Sequence, residues 1–184
     1  MKSNLKTAIA AGVLAMVLTG CASLRGDAGS TADIPKPDAV AHLMEAGGND
    51  RGRVDIFRDG KGLRLEIVAR EFQPGTYGMH IHSVGKCEAP DFMSAGPHWN
   101  PTGAQHGADN PNGAHRGDLP NLEVEAGLIG RVTVTIPEAT LTGNGGLMDG
   151  DGAAFIIHAS ADDYKTDPTG NSGGRKVCGV FGPE

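Results

Sequence analysis

From about residue 50 onward, apolar and polar positions alternate in short runs broken by Gly, Pro, Asn and Asp, which is the signature of an antiparallel β protein. Leu63, Leu65 and Ile67 alternate with Arg64 and Glu66. The run 53–58 precedes them across the turn Asp59-Gly60-Lys61-Gly62, so this stretch predicts a hairpin with one buried face. Further strands are predicted over residues 76–83, 122–125, 130–136, 153–159 and 177–181. The folded domain is expected to start near Ala39. Together the elements predict an all-β, antiparallel Greek-key sandwich or barrel. Two stretches, 85–121 and 160–176, have no periodicity and are rich in Gly, Pro, Asn and Asp. Loops of that length in a compact domain are disordered or functional, and the first holds several histidines, which favours function.

The N-terminus follows a different pattern. Lys2 and Lys6 precede an apolar run over 8–18 that is too short to span a bilayer comfortably, as expected of an export signal. The run ends in Leu18-Thr19-Gly20-Cys21, which resembles a bacterial lipobox, with cleavage before a cysteine that then carries the lipid. Residues 1–20 therefore read as a lipoprotein signal peptide and Cys21 as the lipidated mature N-terminus. The small, polar, proline-containing residues 21–38 read as a flexible tether and 39–184 as the domain. Ala22 after the cysteine points to the outer membrane, so the expected location is the cell envelope or periplasm. In that oxidising compartment the two remaining cysteines, Cys87 and Cys178, can pair with each other.

Charge narrows the partners. The formal charge is -6, and removing a signal containing two lysines makes the mature chain about two units more acidic, which argues against nucleic acid. An anionic substrate remains compatible, because the local field in a cleft decides what a small ion meets.

The histidines carry the chemistry. His80 and His82 lie two apart on a predicted strand, so they project from one face while Ile81 points into the core. His98, His106, His115 and Asp118 fall within one loop, and His158 ends the apolar run Ala154-Phe155-Ile156-Ile157. Of seven histidines only His42 lies outside this set. Imidazoles in a tetragonal arrangement suit Cu(II), and nitrogens with one carboxylate in a closed tetrahedron suit Zn(II). Six histidines and one aspartate supply four ligands to each of two metals only if one histidine is shared.

Over about 54–182 the chain resembles the bacterial Cu,Zn superoxide dismutases. The likeness rests on Gly78-Met79-His80-Ile81-His82, Gly96-Pro97-His98-Trp99-Asn100-Pro101, His106-Gly107, His115-Arg116-Gly117-Asp118-Leu119, the segment from His158 to Tyr164, and the segment from Gly173 to Gly179. It implies one copper per subunit on His80, His82, His98 and His158. It also implies one zinc on His98, His106, His115 and Asp118, with His98 as the bridge and a catalytic proton carrier. Asp162 matches the carboxylate that hydrogen-bonds one ligand of each metal, Cys87 and Cys178 match the disulfide, and Arg175 matches the catalytic arginine of the copper channel. The implied activity is dismutation of superoxide to oxygen and hydrogen peroxide, protecting the cell envelope. The lipid anchor makes the membrane a partner, while monomer and homodimer both stay open. Lys165, within the second loop, reads as a surface lysine, with a contribution to steering the anion as the alternative. Tyr77 stands where many of those enzymes have a further histidine, which bears on barrel-loop packing and not on the ligands. The glycine-rich segment 143–152 has no function implied by the resemblance. A copper/zinc carrier on the same scaffold is the alternative, as is an inactive structural lipoprotein.

Overall fold

The computed structural model describes residues 35–184. Among these, nine strands form one antiparallel sheet: β1 Ala39–Glu45, β2 Asp50–Asp59, β3 Gly62–Arg70, β4 Gly75–Tyr77, β5 Met79–His82, β6 Leu122–Val124, β7 Ile129–Pro137, β8 Ala154–His158 and β9 Arg175–Gly182. The order β4-β6-β7-β3-β2-β1-β9-β8-β5 places sequence neighbours β4 and β5 at its two ends, so the sheet curls into a nearly closed barrel. The crossing from β3 to β7 and from β9 back to β1 is the Greek-key connectivity that the alternating pattern predicts.

The predicted hairpin is present with Asp59 opposite Gly62. Val54, Ile56, Leu63, Leu65 and Ile67 are all within 1 % of complete burial and form the barrel core with Leu43, Ile81, Phe155 and Ile157. Two departures from the predicted elements have physical causes. The strand β1 has Ala39, Val40 and Ala41 all buried, so small residues covered on both faces hide the period-two signal. The predicted strand 76–83 is two strands, because the chain changes partner at Gly78: Thr76 pairs with Glu123, whereas His80 pairs with Ile156. Tyr77 packs edge-on against Phe72 with ring centroids 5.1 Å apart and donates from its hydroxyl to the Gln73 carbonyl at 2.9 Å, which makes it a core residue.

Candidate metal centre

Strand β5 is the platform. Its free edge, on the side away from β8, is covered by the long loop that follows it: Ile81 N donates to Gly117 O at 2.9 Å and Trp99 N donates to Ile81 O at 2.8 Å. The result is a pair of isolated bridges, His80 opposite Asp118 and His82 opposite His98. The loop thus adds itself to the sheet and carries its histidines to the two already on the strand. Gly117 is needed for that approach, since a Cβ there would sit 2.4 Å from the Ile81 carbonyl oxygen.

Six of the predicted ligands come together in one buried cluster with Asp118, while His42 is exposed on β1. In His80, His82, His98 and His158 one ring nitrogen of each lies within 4.8 Å of the others. The second nitrogen explains which atom is free. His82 Nδ1 donates to Gly96 O at 2.8 Å, His158 Nδ1 donates to Gly173 O at 3.1 Å, and His80 Nε2 donates to Asp162 Oδ2 at 2.7 Å. These bonds fix the tautomers. They leave His80 Nδ1, His82 Nε2 and His158 Nε2, together with His98 Nε2, buried and without a partner. Four unpartnered imidazole nitrogens facing one point are costly in an apolar interior, and a metal ion of the copper type fits that donor set.

A second set converges on one carboxylate oxygen. Asp118 Oδ1 lies 2.8 Å from His98 Nδ1, 3.0 Å from His106 Nδ1 and 3.2 Å from His115 Nδ1, and the His98 and His115 Nδ1 atoms are 3.4 Å apart. Three imidazoles and one carboxylate are a donor set that suits zinc, although His115 lies outside the group of ligand atoms that all fall within 4.8 Å of one another. Asp118 Oδ2 faces away, accepting from Gly107 N at 2.9 Å and His115 N at 3.0 Å. By proximity alone His80 also lies near His98, His106 and Asp118, because its ring stacks on His98 at 3.9 Å. Its free nitrogen belongs with the first group, since Nε2 is held by Asp162.

Asp162, buried with 3 % exposure, joins the two sets: Oδ2 takes His80 and Oδ1 takes His106 Nε2 at 3.1 Å. Its backbone is held by Asn121, whose Nδ2 donates to Asp162 O at 2.9 Å and whose Oδ1 accepts from Asp162 N at 2.8 Å. Gly170 closes over it at φ +60°, where a Cβ would lie 1.9 Å from Asp162 Oδ1 and 2.6 Å from His106 Nε2. Asn121 and Gly170 belong to the centre and went unnoticed in the sequence, whereas Gly96 and Gly173 stand in the segments that carry the family resemblance but had no role assigned to them. The glycines act through backbone groups or a missing side chain, and Asn121 acts through a side-chain amide that nothing in its sequence neighbourhood distinguishes from an ordinary loop asparagine.

Electrostatics separate the two sets. Burial, reinforced by neighbouring rings, lowers His82 to about 2, His158 to about 3 and His98 to about 4, and lowers His80 as well. His106 goes the other way. Burial alone would lower it, but Asp118 and Asp162 raise it to about 9, and the same contacts hold both carboxyls well below the ordinary range despite their burial. At neutral pH the metal-free protein therefore holds a proton on His106 that a zinc ion must displace. The proton's contribution to apo stability is complete below the unfolded value of 6.5 and is lost as pH rises through about 9. Zinc affinity is expected to rise about tenfold per pH unit between pH about 6 and about 8, as competition titrations against a chelator would measure. A flat profile would contradict the protonated His106.

Arg175 opens β9 beside this cluster. Its Nη1 donates to Phe92 O at 2.6 Å and its Nη2 to Gly96 O at 2.7 Å, and with His82, His98 and His158 it lines a cavity of about 460 Å³. Cys87 and Cys178 are disulfide-bonded, tying the segment that holds those two carbonyls to β9. Lys165 does not line the cavity.

A Greek-key barrel with a two-metal histidine site held between its outer face and a long loop defines a class of β-sheet metalloproteins, and comparison with known proteins identifies the family within it. Residues 50–181 match the family described as copper/zinc superoxide dismutase. The chain is 49 % identical over 143 residues to the superoxide dismutase-like protein YojM of Bacillus subtilis, covering 76 % of this chain and 73 % of that one. It is 38 % identical over 143 residues to superoxide dismutase [Cu-Zn] 1 of Aquifex aeolicus, covering 76 % and 85 %. Among solved structures, a double mutant of a SOD-like protein from Bacillus subtilis, with a tyrosine and a proline each replaced by histidine, superposes with a TM-score of 0.74 at 46 % identity, covering 77 % of this chain and 95 % of the other. The chain belongs to the copper/zinc superoxide dismutase family, oxidoreductases that dismutate superoxide at a site with one copper and one zinc per subunit.

Proposed function

We propose that His80, His82, His98 and His158 hold the copper, that His98, His106, His115 and Asp118 hold the zinc, and that Arg175 docks superoxide. The observation that carries this reading is the position of the His98 ring. Its Nε2 joins the unpartnered copper-type nitrogens while its Nδ1 sits against Asp118, so one imidazole faces both sets.

Bound copper supplies the one-electron couple that takes an electron from one superoxide and gives one to the next, a pair of steps that consumes two protons and yields oxygen and hydrogen peroxide. The protein contributes the rest. The guanidinium of Arg175 is held by two backbone carbonyls, which leaves its other N–H donors for an anion in the cavity. His98 Nε2 can take up a proton in one half-cycle and return it in the other. Asp162 holds His80 and His106 in register, so that the two sets cannot drift apart.

A second reading is a copper/zinc carrier on the same scaffold, compatible with a Bacillus subtilis relative named only as superoxide dismutase-like. The ligand set favours the enzyme. The test is metal analysis together with superoxide consumption of the copper- and zinc-loaded chain. One of each metal and activity that falls about tenfold or more in Arg175→Ala is the expected outcome. Full loading without activity, unaffected by Arg175→Ala, would favour the metal carrier.

We also propose export and lipid anchoring through Cys21, with 21–38 as the tether and 39–184 as the enzyme domain, so that the site works in the cell envelope at the outer membrane. Residues 1–20, Cys21 and most of the tether lie outside the described residues. Support comes from the charged and apolar order of 1–20 and from the disulfide, which persists in oxidising compartments.

A further inference from the structure

The two metal sets have different covers. Three of the copper-type histidines, His82, His98 and His158, line the cavity beside Arg175. A second cavity, of about 400 Å³, has His115, Arg116 and Asp118 on one wall and Val134, Thr135 and Pro137 of β7 on the other, and among the described residues it shares no lining residue with the first. His115 is the least buried of the zinc-type ligands, with its side chain 10 % exposed against 0 % for His106 and 3 % for His98 and Asp118. So the thinnest cover over that set lies at the groove between the zinc loop and β7. Arg116 spans it: the residue follows His115, and its Nη1 donates to the carbonyl of Pro137, the last residue of β7.

We propose that zinc enters and leaves through this groove, separately from the copper cavity, and that Arg116 is the strap that sets the exchange rate by tying the zinc loop to β7. The inference rests on the assignment of zinc to His98, His106, His115 and Asp118. A four-coordinate ion leaves stepwise, and the ligand that can swing into solvent is the one that yields first. His115 is that ligand, and the hydrogen bond of the adjacent Arg116 restrains the backbone that carries it. Opening of the bond from Arg116 to Pro137 frees that backbone to swing out with His115, whereas the carbonyls that hold Arg175 are not involved.

The test uses the full chain loaded with both metals and follows zinc transfer to a chromogenic chelator at neutral pH. Arg116→Ala is expected to release zinc about tenfold faster, the size of effect for one hydrogen bond from a charged donor. Copper content and its visible absorption should stay unchanged, and Arg175→Ala should release zinc at the native rate. Because a weakened fold would also speed release, a second variant reads in the opposite direction. Thr135→Trp, on an exposed position of the groove wall, should slow zinc uptake by the metal-free protein severalfold. Native zinc kinetics in both groove variants, or faster release in Arg175→Ala than in Arg116→Ala, would overturn the portal. A chain that never takes up one zinc would instead overturn the ligand assignment beneath it.

Discussion

Replacing His98 by alanine is expected to lower dismutation per bound copper by about 10²–10⁴-fold, the range that a positioned proton carrier contributes. The residue is irreplaceable for three separate reasons that the variant removes together. Its Nε2 is one of four unpartnered nitrogens in the copper set, its Nδ1 is one of three imidazole contacts to Asp118 Oδ1, and its ring stacks on His80 at 3.9 Å. Burial holds its pKa near 4, so the free ring is neutral at physiological pH and takes a proton only when the site chemistry demands one. In the metal-free variant Asp118 keeps His106 and His115 but loses one partner of an oxygen only 3 % exposed in its side chain. Zinc content should therefore drop along with activity, in contrast to Arg175→Ala, which leaves both metals bound. Metal analysis and activity per copper on the two variants separate these outcomes. His98→Ala with native activity per copper would refute the bridging role.

Side-chain chemistry was legible in the sequence wherever a residue type has few other uses. Histidines in a non-periodic loop, with His80 and His82 at strand spacing, have little structural reason to be there, and their convergence needed only the loop to return to the strand. How it returns was not legible. The loop reaches β5 through the backbone of Ile81, Trp99 and Gly117, and backbone hydrogen bonds leave no residue-type signature. The same is true of the carbonyls of Phe92, Gly96 and Gly173, which orient Arg175, His82 and His158. For the fold, alternation marked β2, β3 and β7, where one face is wet. It failed at β1, whose first three residues are buried regardless of face, and at Gly78, where the chain passes from one sheet end to the other without any polar interruption.

Removing the disulfide by Cys87→Ser and Cys178→Ser together should destabilise the domain by roughly 4.6 kcal/mol, because the bond closes a segment of 91 residues in the unfolded chain. For a domain of this size that corresponds to a fall of roughly 10 to 20 °C in melting temperature. The effect lies mainly in the unfolded state, which becomes more expanded without the cross-link, so a denaturant titration should show a lower midpoint together with a steeper dependence on denaturant. Activity well below the melting temperature should respond differently. Phe92 and Ala95, 3 % and 0 % exposed, pack with Ala154, Ile156 and Cys178 in a small apolar cluster that Cys87 also touches, and because its first four members are untouched by the two serines the cluster should go on holding the loop. Arg175 then keeps the Phe92 and Gly96 carbonyls, and activity should fall by less than about tenfold, equivalent to under about 1.4 kcal/mol on the barrier. A variant that melts near the native temperature yet loses most of its activity would reverse this division. It would mean that the disulfide acts on the position of Arg175 and that the cluster around Phe92 does not suffice to hold the loop in place.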